Sequence, residues 1–369
     1  MSKKVTHILS DLKLLINLLI LKHIEYFFVI LGLKFGRRVH SMKEISAIWK
    51  TALIGMICLL NLPFGQEAKA QDPEFTQFYA NPLYLNPAFA GTNNCPRVTL
   101  NYRNQWPALS GTFVTTSASY DQHVSSLYGG LGLLVVSDQA GQGTLNTNRI
   151  SGMYSYQLKI GRSFSIRAGF EATWFQRSLD WNKLTFGDMI DPRRGFIYET
   201  GDVPRGGNVN GIDLSAGILG FSDKFFFGFA AHHLNEPNES VVEGNSPIPL
   251  KLTGHAGAKI PLSNSRFSTN DAYISPNILY RTQAGYQQLN MGLYVGKGPI
   301  TGGVWYRNGD AFIVSIGLET DNFNMGYSYD VTISRLANAS AGSHEISMQI
   351  KFDCKPKRRT FRTIACPSF

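Results

Sequence analysis

From residue 96 onward the chain alternates apolar and polar residues with a period of two, in segments of about ten residues, the length of a tilted membrane-crossing strand. In VTLNYRNQW, Val98, Leu100, Tyr102 and Trp106 share one face, and Thr99, Asn101, Arg103 and Gln105 share the other. Phe312, Val314, Ile316 and Leu318 alternate with Ser315, Gly317 and Glu319, and Phe323, Met325, Tyr327 and Tyr329 with Asn324, Gly326, Ser328 and Asp330. The last segment, HEISMQIKF, sets Ile346, Met348, Ile350 and Phe352 on one side.

Fourteen such segments can be counted: 96–106, 112–122, 128–137, 147–160, 163–177, 210–221, 224–233, 251–261, 272–282, 286–296, 300–307, 311–319, 322–331 and 343–353. An even number of long strands with aromatic residues near their ends predicts an all-β fold, a closed antiparallel outer-membrane barrel over 96–353. A soluble β-sandwich also alternates, but its strands are shorter. No apolar run in this region reaches the ~18 residues a membrane helix needs. With the first strand running outward, short connections gather at one end (161–162, 222–223, 297–299, 320–321) and longer ones at the other (138–146, 178–209, 234–250, 332–342). That asymmetry is expected of periplasmic turns and outer loops.

Ahead of the barrel, residues 42–70 have the layout of a signal peptide. Lys43 and Lys50 flank the apolar TALIGMICLLNL, and Ala68-Lys69-Ala70 provides a small-residue cleavage pattern before Gln71. Residues 1–41 read as an upstream extension before a true start at Met42; an N-terminal membrane anchor is the other reading. Residues 1–70 hold ten of the 35 Lys and Arg and four of the 26 Asp and Glu, so the remainder carries +3 rather than the +9 of the whole chain. So small a charge gives no reason to expect nucleic acid as a partner, whereas outer-membrane lipid is required by the fold.

Residues 71–95 include QFYANPLYLNPAFAGT, with two Asn-Pro pairs among aromatics. Pro82 and Pro87 lack an N–H and bias Asn81 and Asn86 toward turn conformations, so the stretch can be neither a long helix nor a central strand. It is expected to fold back into or beneath the periplasmic mouth as a plug-like segment, with Tyr79, Tyr84 and Phe89 against the wall and Ala88 beside them.

The search for chemistry finds no nucleophile elbow, C-x-x-C pair or P-loop, so no catalytic residue, cofactor or metal ligand is assigned and no enzyme activity is expected. His232 and His233 are adjacent near the end of a strand, where successive side chains point to opposite faces and do not share a metal. The long loop at 178–209 calls for an explanation. Its Trp181 and Phe186, with Asp188, Asp191, Arg193 and Arg194, suit a protein-binding surface, and a loop that covers the mouth is the alternative. The tail 354–369 gathers Lys355, Lys357, Arg358, Arg359 and Arg362. Cys95 and Cys354 should share the periplasmic rim, so a bridge from Cys354 to Cys95 or to Cys366 is expected.

The segment QDPEFTQFYANPLYLNPAFAGT, FGDMID in the long loop, the last strand GSHEISMQIKF and the Cys-containing basic tail ending CPSF together resemble the PorP/SprF family of type IX secretion system outer-membrane proteins. The resemblance covers essentially all of 71–369. It implies a non-enzymatic component of the secretion or gliding-motility apparatus of Bacteroidetes-type bacteria. Such a component supports export or surface attachment of a large protein with a type IX sorting domain and works with periplasmic secretion and motility parts. Asn86-Pro87-Ala88 is also similar to the N-P-A of FadL-type transporters, where it belongs to a hatch. That implies the alternative, a hatch-gated transporter of a small apolar solute.

Overall fold

The computed structural model describes residues 72–352, apart from 94, 110, 142, 161–163, 202–205, 242–243, 263–271 and 335–339. The expected tail residues, Cys354 and Cys366, and everything before Asp72 lie outside the described residues. Fourteen long strands follow one another: β1 (Arg97–Gln105), β2 (Phe113–Val124), β3 (Gly129–Ala140), β4 (Leu145–Lys159), β5 (Ser165–Leu179), β6 (Asn208–Phe221), β7 (Phe225–His232), β8 (Lys251–Ala258), β9 (Tyr273–Gln283), β10 (Tyr286–Lys297), β11 (Ile300–Arg307), β12 (Ala311–Glu319), β13 (Phe323–Thr332) and β14 (Ser343–Lys351). Each pairs antiparallel with its sequence neighbours, and β14 returns to β1 with Arg97 opposite Lys351 and Gln105 opposite Ser343. The sheet therefore closes on itself and leaves no long edge to aggregate.

The alternation becomes an inside and an outside. Leu100, Tyr102, Ile218, Val304 and Ile316 stand exposed on the outer surface, while Thr99, Asn101, Arg103 and Ser315 are buried within. So continuous an apolar exterior is the surface of a membrane protein. Among the described residues no helix is long and apolar enough to cross a membrane, so the strands make the crossing.

Three expectations are corrected. Trp106 leaves the outer face, because β1 stops at Gln105 and Trp106 takes a left-handed φ of 57°, its ring edge-on to Phe113. The connection expected over 138–146 shrinks to a tight turn, since the β3–β4 ladder continues to Ala140 opposite Leu145. Both His232 and His233 are buried inside the barrel, because β7 ends at His232 and a φ of 61° at His233 breaks the alternation.

The connections sort into a turn end and a loop end. At the loop end Ala284 and Gly285 join β9 to β10 with φ of 52° and 81°, the pair of positive values that a type I′ turn requires. Elsewhere around the ring β4, β5 and β6 are longer, at 15, 15 and 14 residues. Their last apolar outward row is Ile150, Trp174 and Ile212; above it come Asn148, Gln176 and Asn210, then Asn146, Ser178 and Asn208. Two rows along a strand span about 13 Å, so the long loop between β5 and β6 is carried clear of the apolar band.

Candidate functional site

Residues 72–92 lie inside the barrel. The two Asn-Pro pairs divide them into three short turns: 3-10 turns at Phe78–Ala80 and Pro87–Phe89, with one α-helical turn, Pro82–Leu85, between them. Pro82 and Pro87 each sit at a first helical position, where a missing N–H costs nothing. Asn81 and Asn86 are the residues before them, and the Asn86 side chain accepts from the Ala88 N–H at 2.9 Å. The segment thereby presents a compact apolar surface while its turns close through their own backbone bonds, Ala80 N–H to Gln77, Asn86 N–H to Pro82 and Ala90 N–H to Pro87.

That surface packs on apolar side chains which interrupt the polar inner wall. Phe78 meets Trp305 edge-on at 5.1 Å, Tyr79 meets Phe226 at 5.3 Å, and Phe89 stacks on His255 at 5.4 Å. Leu83, Leu85, Ala88 and Ala90 complete a cluster with Leu134, Met153 and Leu219, and half-buried Tyr84 packs against it. Two inward glycines allow the closest approach. A Cβ on Gly130 would overlap the Ala90 carbonyl, and one on Gly169 would overlap the Ala88 nitrogen.

Polar contacts fix the segment along its whole length. At the loop end Asp72 receives Arg149 at 3.1 Å on Oδ1, with Lys251 and His233 each at 2.7 Å on Oδ2. The other nitrogen of His233 lies 2.7 Å from Asp213. With a carboxylate at each ring nitrogen, both nitrogens donate, which makes His233 an imidazolium. Glu74 pairs with Arg281 at 3.2 Å. One turn further, the N–H groups of Thr76 and Gln77 donate to Glu345 at 2.5 and 3.0 Å, and Arg103 bridges Glu345 and Asp330. Midway down, Asn86 Nδ2 donates to the carbonyls of Ile218 and Phe229, and Asn81 to Ser117. At the turn end Ala90 O accepts from Arg167 and Ser155, and the Gly91 N–H donates to Asp121, itself paired with Arg97 at 2.7 Å.

These ion pairs span the interior. Breaking one of a buried set costs about 3–5 kcal/mol, because its partner is left charged and dry. The spaces left beside Asp72 are about 30 and 40 Å³, each with room for a few waters at most. The segment is thus a plug threaded from the loop end to the turn end.

The plug residues expected from sequence, Tyr79, Asn81, Pro82, Tyr84, Asn86, Pro87, Ala88 and Phe89, all lie within this lumen. Its anchors were not foreseen: Asp72, Glu74, Thr76 and Gln77 on the segment, with Arg103, Arg149, His233, Lys251, Asp330 and Glu345 on the wall. Charged residues on an inward strand face were the available signal. Cys95, just beyond the plug, is disulfide-bonded, and the other cysteines lie outside the described residues.

In the long loop, Trp181 and Phe186 stack on each other at 6.1 Å with 15° between their planes. Asp188 and Asp191 accept hydrogen bonds from the loop's own backbone while remaining open to solvent. Asp188 Oδ2 accepts from the Gly201 N–H at 2.7 Å and the Thr200 hydroxyl at 2.9 Å; Asp191 Oδ1 accepts from the N–H groups of Arg193 and Arg194, both at 2.8 Å. The Gly201 and Thr200 donors hold the first carboxyl below its usual range, and the Arg193 and Arg194 amides do the same for the second. The Arg193 and Arg194 side chains stay exposed at the tip.

A search of curated proteins returns no match. Among solved structures, outer membrane protein Omp33 of Acinetobacter baumannii is 8% identical over 71% of this chain and 100% of its own, with a TM-score of 0.40. A FadL homologue of Pseudomonas aeruginosa is 12% identical over 73% of this chain and 93% of its own, at 0.37. The toluene transporter TodX of Pseudomonas putida is 9% identical over 73% and 91%, also at 0.37. The family description that matches residues 67–350 is "Type IX secretion system membrane protein PorP/SprF". With most of its length covered by that match, the chain belongs to the PorP/SprF family of type IX secretion system membrane proteins.

Proposed function

We propose that this protein is a non-enzymatic scaffold of the type IX secretion apparatus in the outer membrane, exported with cleavage after Ala70. It supports the export or surface attachment of a large protein carrying a type IX sorting domain, and it engages periplasmic secretion or motility components at its turn end. The observation that carries this reading is the plug. A barrel whose lumen is occupied from one end to the other by a segment anchored through buried ion pairs acts through its rims, its loops and its outer wall. The basic tail, Lys355, Lys357, Arg358, Arg359 and Arg362, is the candidate contact for periplasmic components, and the long loop is the candidate contact outside.

The test is quantitative mass spectrometry of surface and culture-fluid proteins in cells with and without the gene, complemented by a version starting at Met42. Loss of one large sorting-domain protein, restored by the shorter version, is the expected result. An unchanged surface proteome sinks the scaffold reading.

A second reading is favoured by the position of Asn86-Pro87-Ala88 in the middle of the lumen: a hatch that moves to pass a small apolar solute. Flux of such a solute through the purified barrel in liposomes would support it, and equal rates in protein-free liposomes would exclude it.

A further inference from the structure

The long loop holds a surface that neither the plug nor the barrel uses. Ile190–Asp191 and Gly195–Phe196 pair as a small antiparallel hairpin, with Ile190 opposite Phe196. The Ile197 and Tyr198 N–H groups both donate to the Met189 carbonyl, and the Tyr198 hydroxyl donates to Asp191. Asp188 and Asp191 brace the turn by accepting from the loop's own N–H and hydroxyl donors. What the hairpin shows outward is Ile190, Phe196, Ile197 and Tyr198, with Phe196 62% exposed, flanked by the exposed Arg193 and Arg194. Among the described residues neither arginine has a carboxylate within ion-pair distance.

We propose that this hairpin is a docking surface for a protein whose facing surface is apolar and bordered by carboxylates. The chemistry follows from complementarity: aromatic and aliphatic side chains with two fork-shaped guanidinium groups match an apolar patch ringed by Asp or Glu. The position follows from the wall. The rows Asn148–Gln176–Asn210 and Asn146–Ser178–Asn208 separate the loop from the last apolar row, so the hairpin stands in water rather than among acyl chains. Its order in the unbound chain reduces the entropy lost on binding. The proposal rests on the scaffold reading and gives the outer contact its residues and its partner chemistry.

The experiment is site-specific photo-crosslinking in intact cells, with a photoreactive residue at Phe196, and a control at the exposed Gln287 beside the β9–β10 turn. The crosslinked species and its attachment site are identified by mass spectrometry. The expected result is a discrete protein adduct at Phe196, absent at Gln287, whose attachment site is apolar and lies beside acidic residues. Its yield falls about tenfold in Arg193→Glu with Arg194→Glu, and by an intermediate amount in the paired Gln variants. The hairpin is held by the arginines' backbone N–H groups, and an unchanged protease pattern of the loop confirms that these variants keep its fold.

An adduct confined to lipid or lipopolysaccharide, a protein adduct indifferent to the charge reversal, or no adduct at all overturns the proposal. A surface protein that is lost on gene deletion while no adduct forms leaves the scaffold role standing and removes this surface from it. A charge-dependent adduct in cells whose surface proteome survives deletion does the reverse.

Discussion

Arg103 and Glu345 stand opposite each other in the register of β1 and β14, the two strands that close the barrel, with Arg103 Nη1 3.2 Å from Glu345 Oε2. The same carboxylate accepts the N–H groups of Thr76 and Gln77, so the seam of the barrel and the upper part of the plug share one buried acceptor. Glu345→Ala leaves two buried amides without their acceptor and Arg103 with Asp330 as its remaining carboxylate, at a cost of about 1–3 kcal/mol for each donor left unpaired. The sheet retains its full backbone ladder, so the loss should fall on the plug. Heat-modifiable mobility of the barrel is expected to persist while 72–92 becomes cleavable by protease. Continued protection of that segment would show that Glu345 is not an anchor.

The inward glycines offer a test that touches no charge. Gly130→Ala and Gly169→Ala each place a methyl group against plug backbone, which cannot yield as a flexible side chain does. Overpacking of this kind costs about 1–3 kcal/mol. Gly152 on the same wall faces outward and a Cβ there meets nothing within 4 Å, so Gly152→Ala is the matched control. Hydrogen exchange at the Ala88 and Ala90 amides should quicken in the first two variants and not in the third.

The strands were legible where the membrane imposes a contrast between their faces, as in Leu100 and Tyr102 against Asn101 and Arg103. Past the apolar band that contrast vanishes: Asn146, Asn148, Gln176, Ser178, Asn208 and Asn210 face outward and are as polar as their neighbours. The outermost two residues of β4, β5 and β6, among them Asn146, Ser178 and Asn208, therefore read as loop, while Asn148, Gln176 and Asn210 fall within the expected strands. The plug was legible from two prolines and a run of aromatics, but its anchors were not. Thr76 and Glu345 are 269 positions apart, and an inward Arg or Glu has the same spacing whether it meets water or a plug. His233 was misplaced for a local reason, a left-handed backbone at a residue with no glycine to announce it.

His233 makes the loop-end anchor pH-dependent. Burial pushes its imidazole down, and the Asp72 and Asp213 carboxylates more than offset this, so in the folded chain its value lies above the ordinary 6.5. A value raised on folding gives stabilisation that is complete below 6.5 and fades as pH rises through the folded value. Protease nicking near Asp72 should therefore accelerate toward alkaline pH, over about one to two units. His233→Asn should be nicked faster at acid pH and lose the dependence. Nicking that slows as pH rises would contradict an imidazolium at this position.

Deletion of 72–92 tests whether the plug alone seals the lumen. With it in place, Phe78, Tyr79 and Phe89 fill the cross-section against Trp305, Phe226 and His255, and the spaces beside Asp72 hold only a few waters. Without it, Arg103, Asp330, Glu345 and Arg307, paired with one another, and Arg281, deprived of Glu74, would line an interior that water must enter, because so many charged groups are costly to leave dry beside an empty lumen. The intact protein in a planar bilayer should show no steady ion conductance, and the deleted protein should conduct in stable steps, since β1–β14 remain closed by backbone pairing. Equal conductance from both would mean that ions pass around the segment, and would move the hatch-gated reading ahead of the scaffold.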